Sequence, residues 1–151
     1  MKKFVLVFLL ICSFANAQSL VELRGYLQKG ENSEEVSKTL ISKSKTAFET
    51  TKKPIYLAFG AVGNFFMAKH AGNPISKYSY FNKGKKMLEE AVKKDPNNVE
   101  IRLMRLISQE KTPGFLGYDK NIETDRNFIL KNYKNSDDDN LVIFIKKYLN
   151  I

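Results

Sequence analysis

Apolar side chains recur along this chain at intervals of three and four residues, the spacing of one face of an α-helix. Leu20, Leu23 and Leu27 set a first helix from Ser19 to about Lys29, broken at Gly30-Glu31-Asn32. Ser33 is placed to cap a second helix, with Glu34 and Glu35 in the first turn, where the helix dipole favours acids. Its stripe of Val36, Leu40, Ala47 and Thr51 continues to about Lys52, and its other faces are polar, so it belongs on the outside. Pro54 opens a third helix at the position proline prefers. From Ile55 to Ala68 that helix is apolar almost all round, the pattern of a helix buried on most sides, and Gly60 and Gly63 leave room for a neighbour to approach. Ala71-Gly72-Asn73-Pro74 is a turn, with Gly72 suited to end one helix and Pro74 to begin the next.

The fourth helix runs to about Lys94 and is the clearest amphipathic segment. Tyr78, Tyr80, Phe81, Gly84, Met87, Leu88, Ala91 and Val92 fall on one half of the wheel, and Lys83, Lys86, Lys93 and Lys94 on the other. Asp95-Pro96-Asn97-Asn98 stops it. In the fifth, about Val99 to Glu110, apolar residues cover most of the circumference, leaving Arg102, Arg105 and Gln109 on a stripe about 60° wide. A loop from Thr112 to Tyr118 follows. Asn121 is expected to cap a sixth helix, about Ile122 to Tyr133, and Ser136 a seventh with Asp137 to Asp139 at its start. The run Leu141 to Ile145 reads as a strand in isolation, but its flanking caps and charges favour a helix. The expected fold is all-α, a bundle of six or seven helices, with residues 18–151 as a single domain.

The extreme N-terminus follows a different grammar. Lys2 and Lys3 precede an unbroken apolar run, Phe4 to Ile11, and Ala15-Asn16-Ala17 supplies small residues at a cleavage site, so residues 1–17 read as a secretory signal peptide. The run is too short to span a bilayer. Removal of this leader would leave 134 residues without cysteine and with a net charge of +7, the chain's +9 less Lys2 and Lys3. A thiol-free chain suits an oxidising compartment, so the expected location is periplasmic or secreted. Export removes nucleic acid from the natural partners despite the basic balance. Lysine supplies 21 of the 25 basic residues, spread along the chain as in a general compositional bias.

Tyr80 to Asn98, YFNKGKKMLEEAVKKDPNN, carries a more specific pattern: small Gly84 and Ala91 seven apart, aromatic Phe81, and a terminal Asp95-Pro96. It resembles the second helix of a tetratricopeptide repeat, and with the third helix it covers about one repeat. The resemblance implies a binding or scaffolding surface rather than a catalytic one.

The chemistry left to the chain is limited. With a single histidine, His70, and its only cysteine in the leader, neither a Cys/His metal site nor a disulfide is expected, nor any cofactor. Asp137 to Asp139 lack the alternating ligands and glycine of a calcium loop. Glu89 and Glu90, adjacent on a helix, point 100° apart and cannot share a substrate. No phosphate-binding loop or nucleophile elbow occurs.

Two binding candidates remain. Arg102, Arg105 and Gln109 hold two of only four arginines on one stripe; they form either a groove that grips carboxylates or an internal ion pair with Glu123 or Asp125. Phe115 and Tyr118, with Leu116, either present an aromatic contact to a partner or fold inward as a plug. The expectation is a non-enzymatic interaction protein whose partner is a protein or peptide. The alternative is a peripheral envelope protein held to anionic lipid or glycan by the lysine face of the fourth helix.

Overall fold

The computed structural model describes residues 20–151, and the expected signal peptide lies outside them. These residues are helical, with no strand among them. A first helix, α1, covers 20–30. It is followed by α2 (Glu34–Thr51), α3 (Pro54–His70), α4 (Pro74–Lys94), α5 (Val99–Lys111), α6 (Ile122–Asn132) and α7 (Asp139–Leu149). Two short 3₁₀ turns, Gly114–Leu116 and Tyr133–Asn135, lie on either side of α6.

Local chemistry sets most of these boundaries. Ser33 accepts from the Val36 N–H, Asn73 from Ser76 and Asn98 from Ile101, each satisfying a donor that a helix start leaves open. Pro54 and Pro74 sit in the first turns of α3 and α4. Three expected boundary residues act differently. Gly72 is not left-handed: α3 ends through the Ala71 N–H, which donates to the Met67 carbonyl. Asn121 flanks α6 but does not cap it, because Gln109 takes its side chain. Ser136 accepts from the Asp138 N–H, while Asp138 itself caps α7 by accepting from Leu141. The Leu141–Ile145 run is helical.

The α3 helix is the centre of the larger core, with Tyr56, Ala58, Phe59 and Ala61 sealed between α2 and α4. Leu23 from α1, Leu40 from α2 and Leu88 from α4 close round it. The buried stripe of α2 is Ser37, Leu40 and Ser44, with small serines on either side of Leu40 where α3 comes close. Gly63 marks that approach: a Cβ there would stand 2.7 Å from the Ile41 side chain. Gly84 marks the equivalent approach of α4, where a Cβ would lie 2.9 Å from the Ala61 carbonyl oxygen. A second, smaller core joins Leu103 and Leu106 of α5 to Ile129, Tyr133 and Ile145. Thus α5 belongs to both cores, which accounts for its nearly continuous apolar circumference.

Candidate functional site

Two faces of α5 do different things. On one, Arg102, Arg105 and Gln109 converge with α4 and α6 on a buried polar network. Its centre is Asp125, 0% exposed, on the first turns of α6. Arg105 donates from Nε to Asp125 Oδ2 at 2.7 Å and from Nη2 to Oδ1 at 2.8 Å, a fork-on-fork pairing. Arg102 Nη1 donates to Asp125 Oδ1 at 2.8 Å, and its Nε to the Pro96 carbonyl. Its guanidinium also lies 4.9 Å from the centre of the Phe128 ring. The remaining Arg105 donor reaches Glu89 Oε2 at 2.9 Å. Two arginines thus meet two carboxylates. Burial works against the Arg105 charge, but Asp125 and Glu89 outweigh it and hold its pKa above the ordinary arginine value.

Gln109 completes this face. Its amide donates to Asn121 Oδ1 at 3.2 Å and its carbonyl accepts from the Asn121 backbone N–H at 3.0 Å, pinning the start of α6. The Arg102–Arg105–Gln109 stripe is therefore an internal tie between helices, with Asp125 as its acid.

The 113–118 loop divides. Gly117 adopts a left-handed backbone (φ +60°) that turns the chain sharply. Beyond it, Tyr118 is buried and packs on Phe65 and Phe81. Its hydroxyl donates to Glu89 Oε1 at 2.7 Å. Burial, reinforced by the Glu89 charge, pushes the Tyr118 pKa well above that of a free tyrosine. Before the turn, Phe115 points outward and is 88% exposed. The two aromatic candidates thus part company: Tyr118 plugs the bundle and Phe115 stands at the surface.

Phe115 stands at the edge of the larger feature. The opposite face of α5, with Leu103, Met104 and Ile107, forms the floor of a solvent-open groove of about 1230 Å³. Its walls are Leu27 of α1, Val62, Phe65 and Phe66 of α3, the start of α4 at Pro74 and Tyr78, and Leu141 and Phe144 of α7. Tyr78, Phe115 and Phe144 are three of the large apolar side chains that the protein leaves exposed, and all three line this groove. Ion pairs mark its ends. At one, Lys69 and Lys111 both reach Glu31, at 3.1 and 3.0 Å. At the other, Arg24 takes Glu100 in a bidentate pair and Asp138 through Nη1, all at 2.7 Å. These partners, Glu100 before Asp138, raise the Arg24 pKa against the opposing effect of burial.

The sequence reading did not find this groove. Its lining comes from five helices far apart in the chain, and the one local sign was the breadth of the apolar surface on α5. His70 sits with Nε2 3.1 Å from the Gly30 carbonyl, joining the ends of α3 and α1. Among the described residues, no group of three His, Cys, Asp or Glu side chains is placed to hold a metal ion, and no helix is long and apolar enough to cross a membrane. The chain matches no family model, no curated protein and no solved structure.

Proposed function

We propose that the protein is an exported, non-enzymatic interaction protein that holds an apolar segment of a partner protein in the groove over α5. The observation that carries this reading is the groove itself. Its volume exceeds the roughly 300–1,000 Å³ of ordinary small-molecule sites. It opens to solvent, and Tyr78, Phe115 and Phe144 among its lining residues stay exposed. Exposed apolar residues gathered round one concavity are the usual mark of a surface that another molecule covers. The tetratricopeptide-like pairing of α3 and α4 supports the same reading, since such hairpins serve as rigid walls for a bound segment.

The binding residues in this proposal are Phe115, Tyr78, Phe144 and the Leu103–Ile107 floor. Arg102, Arg105, Gln109 and Tyr118 serve by holding α4, α5 and α6 in register behind that floor. A photo-crosslinking side chain in place of Phe115, in cells that make the protein, tests this. A discrete protein adduct from position 115, absent from exposed Leu130 on α6 and lost when Phe144→Glu is added, is expected. Equal labelling from 115 and 130 would remove the groove from the function. Recovery on anionic vesicles with no protein adduct would favour attachment through the lysines of α4 instead.

A further inference from the structure

The dimensions, backbone chemistry and charge of the groove together define its occupant, on the reading that the groove is the binding surface. We infer that it receives an amphipathic α-helix of about ten residues, with the C-terminal end of that helix against Lys69, Lys77 and Lys111.

The length of the guest is set by α5. The floor of the groove extends along α5 from Glu100 to Lys111, twelve residues whose eleven steps of 1.5 Å span about 16 Å. A guest helix of that length matches the floor end to end.

The walls select helix over strand. An extended segment would place unpaired N–H and C=O groups against leucine, phenylalanine and methionine. The described residues offer no sheet edge to pair with them. A helix satisfies its own backbone and needs only one apolar face, which is what an open-sided groove can cover.

Charge sets the direction. At one end two ammonium groups, Lys69 and Lys111, share the single carboxylate of Glu31, and exposed Lys77 in the first turn of α4 adds a third cation. That end carries a net +2. At the other end Arg24 is divided between Glu100 and Asp138, a net −1. A helix carries partial positive charge at its N-terminus and negative at its C-terminus. Its favoured orientation therefore puts the C-terminus at the lysine end, and acidic side chains in its last turn strengthen the preference.

Three synthetic twelve-residue peptides with blocked termini test this on the protein purified as the cell makes it. One is a leucine/alanine amphipathic helix with lysines in its first turn and glutamates in its last. The second exchanges those glutamates and lysines. The third has the composition of the first in an order without an apolar face. The first peptide is intrinsically the poorer helix, because its charges oppose its own dipole. It is nonetheless expected to bind at least tenfold tighter than the second in low salt. The gap should shrink in 500 mM salt and on Lys77→Glu, and the third peptide should not bind.

Equal or tighter binding of the second peptide would overturn the orientation. Equal binding of the third would overturn the helix. In either case, loss of the position-115 adduct on adding peptide would leave the groove reading standing. If no peptide binds while that adduct persists, the occupant is not a helix of this kind. If light scattering shows a dimer without peptide, and Phe144→Glu dissociates it, the occupant is a second copy of this chain and the proposal falls.

Discussion

Asp125 is the centre of the buried network between α5 and α6. It is fully buried and accepts three bonds from two guanidinium groups on the facing helix. Removing one member of such a cluster leaves charges stranded away from water, which typically costs about 3–5 kcal/mol. Asp125→Asn is expected to lower stability by that amount in urea unfolding, and Arg102→Gln by less, because Arg102 is partly exposed. Tyr118 supplies a pH signature. Its folded-state pKa is raised, so its contribution is fully present below the ordinary tyrosine value near 10 and is lost as pH rises beyond it. The unfolded chain releases that proton first. Tyr118→Phe should therefore destabilise at pH 8, through the lost bond to Glu89, and the gap to the native protein should narrow by pH 11. A gap that stays constant between those pH values would show that Tyr118 does not titrate in the unfolding equilibrium.

At the scale of the helix, most boundaries were legible because a side chain within four residues decides them. Ser33, Pro54 and Pro74 do what their chemistry predicts, and Asn73 and Asn98, read only as parts of a turn and a stop, also cap α4 and α5. The failures at Asn121 and Ser136 have long-range or competitive causes. Gln109, twelve residues earlier, takes the Asn121 side chain, and Asp138 sits closer to the α7 start than Ser136. Helix pairing was legible in its small residues, and two glycines make opposite predictions from it. Gly84→Ala would press a methyl onto the Ala61 carbonyl and the Phe65 ring, where backbone cannot swing aside. Overpacking of about 1–3 kcal/mol should outweigh the gain of about 1 kcal/mol from helix propensity. Gly25→Ala in α1 meets nothing within 4 Å and should stabilise by about 1 kcal/mol. Thermal melts of the two variants should shift in opposite directions.

At the scale of the whole molecule, the sequence carried the all-α class and one face of α5, and missed the other. Arg102 and Arg105 stood out because arginine is scarce, and the structure places both in a buried network with Asp125. The groove residues are ordinary apolar side chains that come together only when α1, α3, α4, α5 and α7 meet. Arg24 fastens that meeting, and its partners lie 76 and 114 residues further along the chain. The order of synthesis then has a consequence. The first wall of the groove is made well before Asp138 and the Leu141–Phe144 wall, which follow Arg24 by more than a hundred residues. Until they arrive, α1 has no far anchor and the concavity has no second side. Under the proposed function, a guest would therefore be held only once α7 has been made.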